Sequence, residues 1–240
     1  MAEDAVLPPV YNTGKIVFGG LFAKSGELQD GVGASCAAPA ASSGVAIFDF
    51  DRTLIHSGSL LPILEALVGR RALAWSCVVA AAAAAVSRRR AAVFRAVLLR
   101  RTTAGRTVED LESAAERAFP RLRWRMEMLR AYARHRRDGR VIVVASGGLA
   151  CCVRRLLELK GVEVDEVLGT DLDVVGGVLS GRIDGLACTG QEKARRVRDW
   201  LGGFSGEAWG YGNLPADGPM LALVRHPTRV GGLRRRRSRR

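Results

Sequence analysis

Lysine is scarce in this chain. Of 37 basic residues only Lys15, Lys24, Lys160 and Lys193 are lysines, and the other 33 are arginines. Histidine is scarce as well, and His56, His135 and His226 fall at no spacing that closes a metal site. The five cysteines, Cys36, Cys77, Cys151, Cys152 and Cys188, are odd in number and contain no Cys-x-x-Cys pair. A structural zinc knuckle and a fully paired disulfide framework are thereby excluded, and a reducing, cytoplasmic setting is expected. The opening residues are not expected to form a standard signal peptide, because Glu3 and Asp4 precede any apolar run. Long apolar runs are missing too. The longest, Ala72 to Val86, is closed by Arg70-Arg71 and Arg88-Arg89-Arg90, and it falls short of the roughly 20 residues a membrane span needs. It reads first as a buried helix. A helix lying in a membrane interface is the second reading, and a span that borrows the preceding Leu60 to Val68 is a distant third.

Net charge is +13, unevenly spread. Residues 1–53 carry −3, residues 54–140 carry +11, residues 141–224 carry −3, and residues 225–240 carry +8 from eight arginines and no acid. A basic middle and tail favour anionic partners: phosphorylated substrates, an anionic membrane surface, or nucleic acid. No aromatic platform accompanies the tail, so sequence-specific nucleic-acid binding is not expected.

At 240 residues the chain is long enough to bury a substantial core. Residues 1–43 are rich in Gly, Ala, Ser and Pro toward their end and read as a disordered extension. Val45 to Phe50 is a short apolar run of strand formers, suited to a central parallel strand covered on both faces. Residues 57–140 show helical periodicity throughout, with Thr107 as an N-cap and Asp110 as its capping-box acid. Strands resume at Arg140 to Ala145, followed by a helix at 149–159 and a strand at 162–168. A hairpin turned at Gly176-Gly177, a helix at 191–201 and a strand at 207–211 come next. A short helix near 216–220 and a strand at 221–224 precede the Arg-rich tail, 225–240. The expected fold class is α/β: a doubly wound, mostly parallel sheet with an all-helical cap inserted after the first core strand. The core comprises 44–56 and 141–224, and the cap 57–140.

Asp49 and Asp51 close the first strand, where open α/β sheets place their chemistry. Ser146, Lys193 and the pair Asn213 and Asp217 fall at or near the ends of later strands or the starts of helices. One scheme uses all of them. Hard oxygens bind Mg²⁺, a lysine helps neutralise a phosphoryl group, one carboxylate attacks phosphorus, and a second moves the proton.

These residues, in this order, resemble the haloacid dehalogenase-like hydrolases, in particular their phosphoserine-phosphatase-like branch. Asp49-Phe50-Asp51-Arg52-Thr53-Leu54 looks like the first motif. Val144-Ala145-Ser146-Gly147-Gly148 looks like the second, Gly190-Gln191-Glu192-Lys193 like the third, and Tyr211-Gly212-Asn213 through Asp217 like the fourth. The resemblance implies a Mg²⁺-dependent phosphatase. It implies that Asp49 is the nucleophile and a metal ligand, that Asp51 is the acid/base and offers its carbonyl to the metal, and that Asn213 and Asp217 complete the metal end. Ser146, the Gly147 amide and Lys193 would hold the phosphate. Three departures stand out: Asn213 where Asp is usual, Arg52 where a small Gly is common, and Gly58 where phosphoserine phosphatases carry a Glu that recognises the substrate amine. Gly58 argues against free phosphoserine. Ser57, Ser59, Arg95 and Arg100 are candidates to line the entrance instead, and a small-molecule or lipid phosphate is the expected substrate. Asn213 is expected to weaken metal binding rather than abolish activity, and Arg52 to point away from the phosphate. The alternative is a weak or inactive relative that binds nucleic acid or an anionic surface, with peripheral membrane contact.

Overall fold

The computed structural model of the chain describes residues 44–231. The expected extension at 1–43, Cys36 and the arginines from 234 on lie outside the described residues. The elements in order are β1 (Val45–Asp49), α1 (Leu60–Val68), α2 (Arg70–Ala85), α3 (Arg90–Thr103), α4 (Val108–Ala118) and α5 (Met126–Arg137). Then follow β2 (Val141–Leu149), α6 (Ala150–Lys160), β3 (Glu166–Thr170), β4 (Leu172–Val175), β5 (Val178–Ile183), α7 (Gly190–Leu201), β6 (Ala208–Gly212), α8 (Gly218–Leu221) and β7 (His226–Arg229). Five strands form one parallel sheet in the order β3-β2-β1-β6-β7, and β4 and β5 pair as a separate antiparallel hairpin.

All five residues of β1 are buried, as a central strand requires. Its side chains alternate between the two faces. Val45 and Ile47 pack with Val197 and Trp200 of α7 and with Met220 and Leu221 of α8. Ala46 and Phe48 pack on the other side in the larger cluster that contains Met128 and Ala131 of α5 and Val153 and Leu156 of α6. The next residue in the alternation, Asp49, therefore falls on the α7–α8 side. Fully burying a side chain such as Ile47 or Phe48 contributes roughly 1.5–3 kcal/mol, and Phe48 also stacks on Tyr211 at 4.5 Å between centroids.

The helical segment departs from expectation at its end. The fifth helix was expected to belong to the cap, but α5 lies against the sheet: its buried His135 meets Tyr211 of β6 at 2.8 Å. Before it, residues 122–125 run extended, and Trp124 bridges to Ile55. The rest of the segment holds, and Thr107 and Asp110 form the expected capping box. The last strand also differs. It is not 221–224 but β7, at His226–Arg229, so residues expected to open the tail instead form the exposed edge of the sheet. The hairpin turns at Gly176 and Gly177, both with positive φ, as a type I′ turn needs. It rests on the cap, where Leu179 exchanges backbone bonds with Gly105 and Arg106.

His135 gives a pH prediction. Its Nδ1 faces the Arg140 guanidinium at 2.8 Å; since Arg only donates, Nδ1 accepts and Nε2 donates to the Tyr211 hydroxyl. Burial, reinforced by the Arg140 charge, pushes the imidazole pKa down from 6.5 to about 4. The unfolded chain thus binds this proton first as pH falls, so the stabilisation is complete above pH 6.5 and is lost between 6.5 and 4. The stability advantage of wild type over His135→Gln should shrink by about 3 kcal/mol across that window, read by urea titration at a series of pH values.

Candidate active site

β1 pairs with β2 so that Asp49 lies beside Ala145, one residue before Ser146. On its other side β1 pairs with β6, Phe48 beside Tyr211, one residue before Gly212-Asn213. Parallel pairing thus sets three strand ends side by side, with α7 and α8 closing from the face that Asp49 shares.

Asp49 is buried, 3% exposed. Its Oδ1 accepts from Lys193 Nζ at 2.7 Å, and its Oδ2 from Thr53 Oγ1 at 2.7 Å and Asn213 Nδ2 at 3.1 Å. Lys193 is equally buried and donates also to Asp217 Oδ1 at 2.6 Å. The second oxygen of Asp217 accepts the Asn213 backbone N–H at 2.8 Å. One ammonium therefore holds two carboxylates. Burial raises the Asp49 pKa to about 6, with Lys193 opposing and Asp217 adding to the rise. For Lys193, burial alone would depress the pKa, but the charges of Asp49 and Asp217 outweigh it and the pKa is raised. The lysine stays charged.

Asp51 sits beyond the strand in the wide turn Phe50–Leu54, and its Oδ1 accepts the Ser59 N–H at 2.7 Å. Burial raises its pKa, with the Ser59 bonds and the Lys193 and Arg95 charges pulling the other way. Arg52 is exposed and takes φ 64. A left-handed backbone costs an ordinary residue about 1–2 kcal/mol and glycine little. That is the physical reason a Gly suits this position. Arg52→Gly should raise unfolding stability by about 0.5–1 kcal/mol, since part of the relief is offset by chain entropy; denaturant titration checks it.

Ser146 is fully buried and its Oγ accepts the Gly148 N–H at 3.0 Å. Gly147 is wedged between the start of α7 and the cap. A Cβ there would lie 3.0 Å from Thr189 Cγ2 and 3.8 Å from an Arg95 nitrogen. Its carbonyl accepts from Thr170 Oγ1 at 3.0 Å and from Arg95 Nη1 of α3. Arg95 thus reaches from the cap to the β2 end. With Arg100, Arg182, Val97, Ile183 and Leu186 it lines a cavity of about 470 Å³ between α3 and the β5 side.

Of the residues expected to form the site, Asp49, Asp51, Lys193, Asn213 and Asp217 are joined by direct bonds. Ser146 and Gly147 lie at the neighbouring strand end. Arg95 and Arg100 share the adjoining cavity. Ser59 is buried and meets Asp51 through both its backbone N–H and its side chain, whereas Ser57 is exposed and its carbonyl accepts from the Arg52 N–H. Thr53 was within the motif but absent from the expected site residues, and its place four residues after Asp49 was the available signal. Thr170, which ties Gly147 to the Cys188 N–H, was not among the expected site residues, although the segment Leu168 to Leu172 that carries it follows the pattern of the same branch.

The oxygens present suit a hard cation. Asp49 Oδ2 and the Asp51 carbonyl both accept from Asn213 Nδ2 at 3.1 Å, so the two oxygens flank the end of that side chain. A half-turn of the Asn213 amide offers a third oxygen beside them. Among the described residues no three acidic, His or Cys side chains surround a common ion position; the set rests instead on one carboxylate, one carbonyl and one amide, with Asp217 engaged at both oxygens.

A family model for haloacid dehalogenase-like hydrolases matches residues 46–222. The chain belongs to that family. Among solved structures, a protein of unknown function from Bordetella pertussis Tohama I aligns at 21% identity with a TM-score of 0.60, over 78% of this chain and 89% of that one. A substrate-bound phosphoserine phosphatase aligns at 18% and 0.53, over 76% and 83%. A cytosolic 5′-nucleotidase IIIB bound to cytidine aligns at 14% and 0.57, over 78% and 72%. At these identities the likeness is one of fold. A search of curated proteins returned no match. The family expected from the motifs is the observed one, and it is a family of hydrolases.

Proposed function

We propose that this hydrolase is a phosphomonoesterase that works through an aspartyl-phosphate on Asp49. The observation that carries the reading is the buried Asp49 carboxylate, held between Lys193 and Thr53 at the centre of three strand ends. Asp49 would attack phosphorus while Asp51, kept nearer its protonated form by burial, gives its proton to the departing alkoxide as the P–O bond breaks. Water then attacks the phosphorus of the acyl phosphate, Asp51 takes back a proton, and Asp49 is released with inorganic phosphate. Lys193 and Ser146 hold phosphoryl oxygens, and the Gly147 amide contributes. Mg²⁺, held by Asp49, the Asp51 carbonyl and Asn213, would neutralise phosphoryl charge. Asp217 orients Lys193 and the Asn213 loop rather than facing the ion directly.

The cavity beside Arg95 and Arg100 fits the remainder of the substrate. Its arginines and aliphatic walls suit an anionic organic phosphate with apolar bulk, a lipid phosphate among them. Gly58 is exposed with nothing within 4 Å of an added Cβ, so no side chain there meets an amine. Free phosphoserine is therefore a poor substrate in this reading. The nucleic-acid-binding alternative gains no support from the described residues, and the terminal arginine cluster lies outside them.

The test is a panel of sugar, amino-acid, nucleotide and lipid phosphates with Mg²⁺ and with a chelator. Hydrolysis should fall to background on chelation and return when Mg²⁺ is restored. Chelator-insensitive hydrolysis would remove the metal from the scheme. Phosphoserine turned over as fast as the best apolar phosphate would remove the substrate assignment while leaving the chemistry.

A further inference from the structure

The cap carries a surface that the active site does not use. α2 buries Leu73, Ser76, Ala80 and Ala84 against its neighbours. Its opposite stripe, Ala74, Trp75, Val78, Ala81, Ala82 and Ala85, faces solvent. Trp75 is 62% exposed, Val78 58%, and Val86, just past the helix, 92%. The outer face of a surface helix normally carries charge, yet from Ala72 to Val86 there is no charged residue at all.

The charges stand at the ends of this face. Arg70 and Arg71 precede it, Arg88, Arg89 and Arg90 follow it, and all five are exposed. Between Glu65 and Glu109 the chain has nine arginines and no acid. An apolar stripe with an exposed Trp, closed at both ends by arginines, matches what a lipid interface offers: acyl chains below, anionic headgroups beside. The 16 residues of α2 extend about 24 Å, too short to cross, and no helix among the described residues is long and apolar enough to do so. We propose that α2 lies in the plane of an anionic lipid surface, with Trp75, Val78 and Val86 inserted and the flanking arginines on headgroups. A second copy of the chain is a poorer occupant, because two such faces bring only positive charge to each other. Nucleic acid is poorer still, because it would need the arginines along the face rather than at its ends.

The experiment uses the full chain and vesicles of equal parts phosphatidylglycerol and phosphatidylcholine, against phosphatidylcholine alone. Binding is expected to the anionic vesicles, and the double variant Trp75→Ser, Val78→Asp should weaken it by roughly tenfold or more without lowering the thermal midpoint, since both side chains are exposed. The terminal arginines also attract anionic vesicles, so a second readout isolates α2. Bromine-labelled lipids should quench part of the tryptophan emission, and Trp75→Phe should remove that part while Trp124, Trp200 and Trp209 remain unquenched. Three results would overturn the proposal: quenching unchanged in Trp75→Phe, equal binding to both vesicle types, or a vesicle-free dimer that the double variant dissociates.

Discussion

Asp49→Asn is expected to abolish turnover, by about 10⁴-fold or more, the scale on which enzymes lose an acting nucleophile, while leaving the chain folded. The carboxamide keeps the shape of the side chain and an oxygen to accept from Lys193 or Thr53. Lys193 retains its bond to Asp217 at 2.6 Å, so no charge is left buried alone. The variant loses only the anionic oxygen that would attack phosphorus. The measurement pairs steady-state hydrolysis of the best substrate with a trapping experiment: borohydride reduction and mass spectrometry should find the phosphorylated residue at Asp49 in wild type and nowhere in the variant. Turnover of the variant near the wild-type rate would end the aspartyl-phosphate scheme, and a trapped adduct at Asp51 would reassign it.

Lys193→Met carries the second large effect, this time on the fold as well. The lysine is buried and touches Asp49 and Asp217 together. Removing it leaves two carboxylates facing each other out of water, and breaking a buried pair in this way costs about 3–5 kcal/mol. The pH dependence identifies the cause. Like charges in one site raise a carboxyl pKa further, and burial has already moved Asp49 up to about 6 in the intact protein. A carboxyl whose folded pKa exceeds its unfolded value contributes stability that is complete below the unfolded pKa and is lost as pH rises from there through the folded pKa. Relative to wild type, Lys193→Met should therefore recover stability as pH is lowered from neutral toward 5. Urea midpoints at several pH values, taken with a chelator present, test this. A deficit that is constant with pH would show that lost packing, and not the exposed pair of carboxylates, is responsible. Hydrolysis should be lost at every pH.

How far the sequence could be read depends on whether the cause of each feature is local. Asp49, Asp51 and Thr53 share one strand end, and their spacing sets the geometry directly. Lys193 and Asp217 were legible because each opens or precedes a helix that follows a strand, and the right succession of such units leaves few places for them to go. The capping box at Thr107 needs only four residues and was correct to the residue. The failures are tertiary. β7 contains Pro227, all four of its residues are exposed, and it shows no apolar run, so only its pairing with β6 defines it. α5 buries Met128, Ala131 and His135. That stripe declares a covered face without saying whether cap or sheet covers it. The bond from Arg95 to the Gly147 carbonyl spans 52 residues; nothing near Arg95 in sequence points to it.

That same bond ties the cap to the sheet. Arg95 belongs to α3, and Gly147 belongs to the strand end beside Asp49. Any motion that parts the cap from the sheet must break this contact, and any motion that re-forms it brings a positive charge back toward Asp51. On the proposed aspartyl-phosphate scheme, departure of the product alcohol and entry of water would both require that contact to open. On that scheme the frequency of the opening would set a ceiling on the catalytic cycle, whatever the chemistry at Asp49.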